Sequence, residues 1–180
     1  MIRLEPFTMG DAAELVSWIP SEEFLMQWGG PGFLYPINFE QIESYVHVPN
    51  QRVFKGIEEI TGKNAGHICL SNIDLKNESC RISKVMAAPD MRGKGYGLAL
   101  VQQALNFAFL ELNMHRVTLG VFDFNKNAIS CYKKAGFSIE GHLKDCRKIK
   151  NEYWSLYEMA ILKEEWEQVR SITSQSSVQA

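Results

Sequence analysis

The chain has 180 residues, 46% of them apolar and 22% charged, with a formal net charge of −2. That length suits one domain with a substantial core, and the composition is that of a soluble globular protein. The near-neutral charge gives no general pull toward nucleic acid or an anionic membrane.

In chain order, IRLEPF alternates well enough for a first strand. Thr8 or Asp11 then caps a short helix carrying Leu15, Val16, Trp18 and Ile19, and Ser21 with two acids opens a second, EEFLMQW, stopped by GGPGFLYP. INFEQIESYVHV reads as a third helix with Phe39, Ile42, Tyr45 and Val46 roughly in phase. RVFKGIEEI, HICLSNIDL and CRISKVMAA follow as three strands, and the tight polar turns between them, TGKNAG and KNES, make them antiparallel neighbours. A glycine-rich loop leads into a strongly amphipathic helix with Leu98, Val101, Leu105, Ala108 and Leu112 at 3/4 spacing. HRVTLGVF is a strand, NKNAISCYKKAG a helix closed by Gly136, FSIE and YWSLYEMAIL two more strands, and KEEWEQVR a terminal helix.

The expected fold is therefore α/β (α+β), a mixed, mostly antiparallel sheet of about seven strands with helices on both faces. One strand–helix–strand crossover, through the glycine loop, makes two central strands parallel. A single domain is expected over 1–170, with the small, polar SITSQSSVQA end, 171–180, as a flexible tail.

No apolar run approaches the roughly 20 residues of a membrane span. The opening MIRLEPFTMGD, broken by Arg3, Glu5 and Pro6, does not read as a secretory signal. Cys69, Cys80, Cys131 and Cys146 show no paired spacing and read as reduced packing thiols of a cytoplasmic protein. His47, His67, His115 and His142 are scattered, so no metal is expected.

The densest chemical signal is RGKGYG, three glycines and two cations in six residues, set immediately before a helix. It is not a Walker loop, because Lys94 is followed by Gly95 rather than Ser or Thr. It is not a dinucleotide fingerprint either, since the third position would fall on Leu98 or Leu100. Its physics is still that of an anion site. The first turn of a helix offers unpaired N–H groups and the positive end of the dipole, and glycines let main chain curl around a pyrophosphate. A tight turn with incidental glycines is the bland alternative.

VMAAPDMRGKGYGLALV resembles motif A of the GNAT superfamily, the acetyl-CoA-dependent N-acyltransferases, whose signature is Q/R-x-x-G-x-G/A. NKNAISCYKKAGF, Asn125 to Phe137, resembles the family's downstream N-x-x-A-x-x-x-Y-x-x-x-G-F block. The resemblance runs from about Gly66 to Trp166 and is nearest to the branch holding ribosomal-protein N-terminal and spermidine acetyltransferases, on GHICLSNIDLKN, EGHLKDCRKIKNEYW and MAILKEEW. WIPSEEFLMQWGG is also similar to aminoglycoside 6′-N-acetyltransferases.

The resemblance implies acetyl transfer from acetyl-CoA to a primary amine in one ternary complex, without metal. It implies that main-chain groups of Val85, Met86 and Ala87 pair with the pantetheine arm, which behaves as an added partial strand. It also implies that the N–H groups of Arg92, Gly93, Lys94, Gly95, Tyr96, Gly97 and Leu98 receive the pyrophosphate. Asn125 matches the asparagine that hydrogen-bonds the arm, and by itself suits a helix N-cap, roles that are compatible. Tyr132 matches the tyrosine that protonates the departing thiolate, a phenol titrating near ~10 being able to donate there. Its alternative is a core aromatic.

The acceptor side is less legible. Glu22, Glu23, Asp74 and His67 are candidates for a base, with none preferred. Trp18, Trp28 and Tyr35 form either a cation–π wall for an ammonium or the core of a small helical cap. KDCRKIKN is expected as a solvated hairpin arm near the acceptor mouth, disfavouring a highly cationic substrate from that side. A protein N-terminus, a polyamine, an aminoglycoside and a small amino acid all stay open as acceptor, and a homodimer is compatible with the chain. From other classes, a CoA-binding sensor or scaffold without catalysis and a different phosphate-binding protein stay open as well.

Overall fold

The computed structural model describes residues 1–176. Seven strands form one sheet in the order β1-β2-β3-β4-β5-β7-β6. Strand β1 is Ile2–Pro6, β2 Arg52–Glu58, β3 Asn64–Asp74 and β4 Ser79–Ala87, an antiparallel series. Between β1 and β2 lie three short helices, α1 (Ala12–Ser17), α2 (Glu22–Gly29) and α3 (Phe39–Val46). Helix α4 (Tyr96–Asn106) then carries the chain to β5 (Arg116–Phe122), which runs parallel to β4. Helix α5 (Lys126–Lys134) precedes the hairpin of β6 (Ser138–Ile149) and β7 (Glu152–Leu162), and α6 is Lys163–Ser176. The mixed, mostly antiparallel sheet with helices on both faces is the one expected. Among the described residues no helix is long and apolar enough to cross a membrane.

Alternation along β2 separates the two faces. Lys55 reaches Asp11, just ahead of α1, at 2.7 Å, while its neighbour Gly56 faces Leu100 of α4. Gly56 pairs with Gly66 across β2 and β3, so two missing side chains lie side by side under α4. A Cβ at Gly66 would stand 2.3 Å from the Met86 carbonyl oxygen and 2.6 Å from Leu100. The helix settles onto the sheet there, burying Leu100 and Ala104 beside the expected Val101 and Leu105, while Leu98 is only partly buried.

Four local readings change. The amphipathic run is α-helical only to Asn106 and continues as a π turn, Phe107–Glu111, that keeps Ala108 and Phe109 inside while Leu112 becomes its cap. Phe39 opens α3 from the solvent side, 52% exposed, and Ile42 with Tyr45 carry the buried face instead. FSIE is the start of a far longer strand. β6 is an outer strand with both faces largely solvated, so it shows no apolar alternation to announce it. KDCRKIKN is the far end of that hairpin arm. Finally, the terminal helix passes the expected start of a tail at 171 and runs through Ser176, and 177–180 lie outside the described residues.

Candidate functional site

The site originates in a fault in the sheet. β4 pairs with β5 only at Ser79–Arg81 against Arg116–Thr118, after which the two strands separate. On its other edge β4 carries a bulge, where His67 pairs with Met86 but Cys69 pairs with Ser83, so Lys84 and Val85 stand opposite one residue. Lys84 takes the left-handed conformation there, at φ 52°. The Trp28 indole N–H of α2 donates to its carbonyl at 2.9 Å and holds the bulge in place. Beyond Arg81 the β5-facing edge of β4 thus presents main-chain groups with no strand beside them.

On the α4 side this edge opens into a groove of about 570 Å³, lined by Val85, Met86, Ala87, Arg92, Gly93, Gly95, Gly97, Leu98, Asn125 and Tyr132. Ten of the predicted residues therefore meet in one cavity. Gly93 and Gly95 have φ of 75° and 86°, a region in which any side chain is strained. Gly95 caps α4, and the first intrahelical bond is Ala99 N–H to its carbonyl, so the amides before Ala99 point ahead of the helix unspent. A Cβ at Gly93, Gly95 or Gly97 would meet nothing within 4 Å, as expected of glycines facing an open cradle rather than packing. Arg92 lies across Phe24, its guanidinium carbon 5.3 Å from the ring centroid, and its Nε donates to the Ala87 carbonyl at 3.4 Å. The side chains of Lys94 and Tyr96 are not in the lining. Lys94 turns back to the Asp90 carbonyl at 2.8 Å, and Tyr96 packs on the core.

Asn125 is the N-cap of α5, its Oδ1 accepting from Ala128 N–H at 3.2 Å, and it also lines the groove. The cap engages the oxygen, and the amide N–H groups have no hydrogen-bond partner among the described residues. Tyr132 is about two turns further along α5, 9% exposed, packed edge-on against Phe137. Its hydroxyl has no hydrogen-bond partner among the described residues. Burial pushes the phenol well above its usual range, so it keeps its proton at neutral pH.

Past Met86 the groove narrows into a slot through the sheet, where Ile82–Met86 of β4 face 120–122 of β5, with Phe24, Gln27 and Trp28 above and Tyr132 below. On the α1–α3 side the slot shares Ser83 and Lys84 with a second groove, about 710 Å³, formed by α3, the α2–α3 loop, β3 and β4. Trp18 and Trp28 are both core residues at 8% exposure, Trp28 also walling the slot, whereas Tyr35 is exposed and donates to the Pro20 carbonyl at 3.1 Å. Trp18 is thus core and Trp28 both core and wall, while Tyr35 is neither.

The four candidate bases stay apart. His67 is 1% exposed among Phe7, Trp28 and Tyr45, with its Nε2 on the Tyr45 hydroxyl at 3.0 Å, and burial lowers its pKa to about 3. Asp74 holds the β3–β4 turn by accepting from the N–H groups of Lys76 and Asn77, both at 3.0 Å. Glu23 is paired with Lys150 at the tip of the β6–β7 hairpin, and Glu22 is exposed on α2. Lys84, missed in the sequence, is the one charged side chain that lines both slot and second groove. A lone lysine inside an apolar strand, CRISKVMAA, was the available signal.

The acetyltransferase (GNAT) family model matches residues 14–137. A spermidine N(1)-acetyltransferase of Vibrio cholerae is 29% identical over 133 residues, 72% of this chain and 76% of that protein. A putative ribosomal N-acetyltransferase of Bacillus subtilis is 29% identical over 106 residues, 59% of this chain and 57% of its own. Across the spermidine N(1)-acetyltransferases matched, the alignments span 65% to 76% of the relatives' length. The crystal structure of a Vibrio cholerae spermidine N-acetyltransferase in complex with CoA and spermine superposes with a TM-score of 0.80 at 24% identity, covering 92% of this chain and 97% of that one, a likeness of fold.

Proposed function

Because the chain belongs to the acetyltransferase (GNAT) family, we propose that it moves the acetyl group of acetyl-CoA to a primary amine by direct attack in a ternary complex. What supports this most is the unpaired edge of β4 leading to a glycine cradle at the start of α4. Pantetheine amides would complete that edge at Val85, Met86 and Ala87, as a strand adds to a sheet. The diphosphate would lie on the main-chain N–H groups of Arg92–Leu98, at the positive end of α4. Lys94 and Tyr96 take part through their main chain, their side chains being engaged elsewhere. The Asn125 amide N–H groups, left over from capping, face the arm.

The thioester then sits in the slot. A neutral amine attacks its carbonyl carbon, and the oxyanion that forms is met by main-chain N–H of the β4 bulge. Collapse breaks the C–S bond, and the thiolate takes the proton of the Tyr132 hydroxyl, which burial has kept in place. The proton shed by the amine leaves through water, because His67 is sealed and Glu23 is paired. Tyr132, which lines the slot with its hydroxyl unpartnered among the described residues, favours catalysis over a passive CoA sensor.

The test is calorimetric titration with acetyl-CoA followed by thiol release over a panel of spermidine, N-terminal peptides, aminoglycosides and amino acids. Binding with acceptor-dependent thiol release is expected. Absence of binding at millimolar acetyl-CoA overturns the assignment, and binding without thiol release from any amine leaves the sensor in its place.

A further inference from the structure

We infer that the acceptor amine also bears a carboxylate, and that the ammonium of Lys84 receives it. Resting as this does on acetyl transfer in the slot, it narrows the acceptor to small amino acids.

The side chain of Lys84 leaves the bulge toward the α3 side and ends between two aromatic rings. Its Nζ lies 4.8 Å from the Tyr45 centroid and 5.7 Å from that of Phe33. Beyond these ring faces it has no hydrogen bond and no carboxylate in ion-pair range among the described residues. All three N–H donors are thus unspent on protein acceptors. Desolvation lowers its pKa, the sign of a cation held away from water without a partner. A partly buried charge in that condition is costly unless something pairs with it. The protein pairs its other groove cation, Arg81, bidentately with Glu158 at 2.7 and 3.0 Å, so the omission at Lys84 is specific.

Position turns that omission into a subsite. Lys84 borders both the slot and the outer groove, so an anion on Nζ places a short linker and an amine at the slot mouth. Around it the groove offers neutral polar groups, Ser71, Ser83 and Gln41 among them, and Glu40 as its one acid. A polyamine would need the reverse, acids spaced along the groove for each ammonium. The lysine also serves the reaction. A positive charge near the acceptor nitrogen disfavours its protonated form, and the free amine is what attacks.

The experiment is thiol release from acetyl-CoA with ω-amino acids of two to six carbons against alkylamines and diamines of matching length. For the unaltered enzyme, kcat/KM for the best amino acid should exceed that of its matched alkylamine and diamine by about ten- to a hundredfold, the scale of a charged hydrogen bond. Lys84→Met should raise KM for the amino acid about tenfold more than KM for the matched alkylamine. Lys84→Arg should retain the preference, and Lys84→Glu should turn it toward diamines. Equal or better turnover of diamines by the unaltered enzyme overturns the inference. So does a Lys84→Met variant whose kcat falls alike for every acceptor, which would make the lysine a proton carrier or a structural group. Acetyl-CoA binding with thiol release but no carboxylate preference defeats the subsite alone. Failure to bind acetyl-CoA defeats the subsite and the acetyl-transfer assignment together.

Discussion

The two grooves that meet at the slot are built from different materials. On the α4 side the working surface is largely main chain: the bare edge of β4, two left-handed glycines and the first amides of a helix. On the α3 side it is side chains, Lys84, Phe33, Tyr45, Ser83 and Gln41, drawn from β4, α3 and the loop before it. Main chain recognises what every acetyl-CoA has in common, amides and phosphates. Side chains recognise what differs from one acceptor to the next. The lesson is that one half of such an enzyme is portable across sequences and the other half is private to the chain.

Substitutions should therefore fail in different ways on the two sides. The largest effect is expected of Gly95→Glu, whose carboxylate would enter the cradle meant for a diphosphate. Like charges in contact cost several kcal/mol, so acetyl-CoA affinity by calorimetry should fall more than about hundredfold. Next, Tyr132→Phe should lower kcat about a hundredfold while shifting acetyl-CoA affinity less than about threefold. Unaltered turnover would remove the one side chain that the main-chain half contributes to chemistry.

On the other side the expected losses are of stability. Between pH 6.5 and about 3 the unfolded chain protonates His67 and the folded one does not. Stability is accordingly complete above pH 6.5 and lost as pH falls, with a slope near 1.4 kcal/mol per unit and a total of about 2 kcal/mol by pH 5. Urea midpoints across that window should show the slope, and His67→Gln should flatten it. Trp28→Phe, which orphans the Lys84 carbonyl, should cost about 1–2 kcal/mol in the same assay and raise acceptor KM more than acetyl-CoA Kd. Back on the α4 side, Asn125→Ala is expected to cost about 1 kcal/mol in that assay, the worth of a helix cap.

The same division decides what could be read from sequence. Gly93, Gly95 and Asn125 sit where short-range rules act, at a turn, a helix start and a cap, and a few neighbouring letters suffice to specify them. The antiparallel run of β2, β3 and β4 and the single parallel pair followed from turn lengths and one crossover. Lys84 is different in kind. Its importance depends on a bulge defined by pairing with β3, on an indole from α2 some fifty residues earlier, and on rings from two further segments. No local pattern encodes such a meeting. The length of β6 escaped for a related reason, since a strand solvated on both faces has no apolar rhythm to detect.

The neighbouring glycines Gly56 and Gly66 line neither groove, yet they determine how deeply α4 sinks into the sheet. A methyl added at Gly66 would wedge the helix outward through Leu100 and carry its whole leading end away from Val85–Ala87. The spacing between strand edge and phosphate seat, and with it the reach demanded of the cosubstrate, is in this way gauged from beneath by two hydrogens.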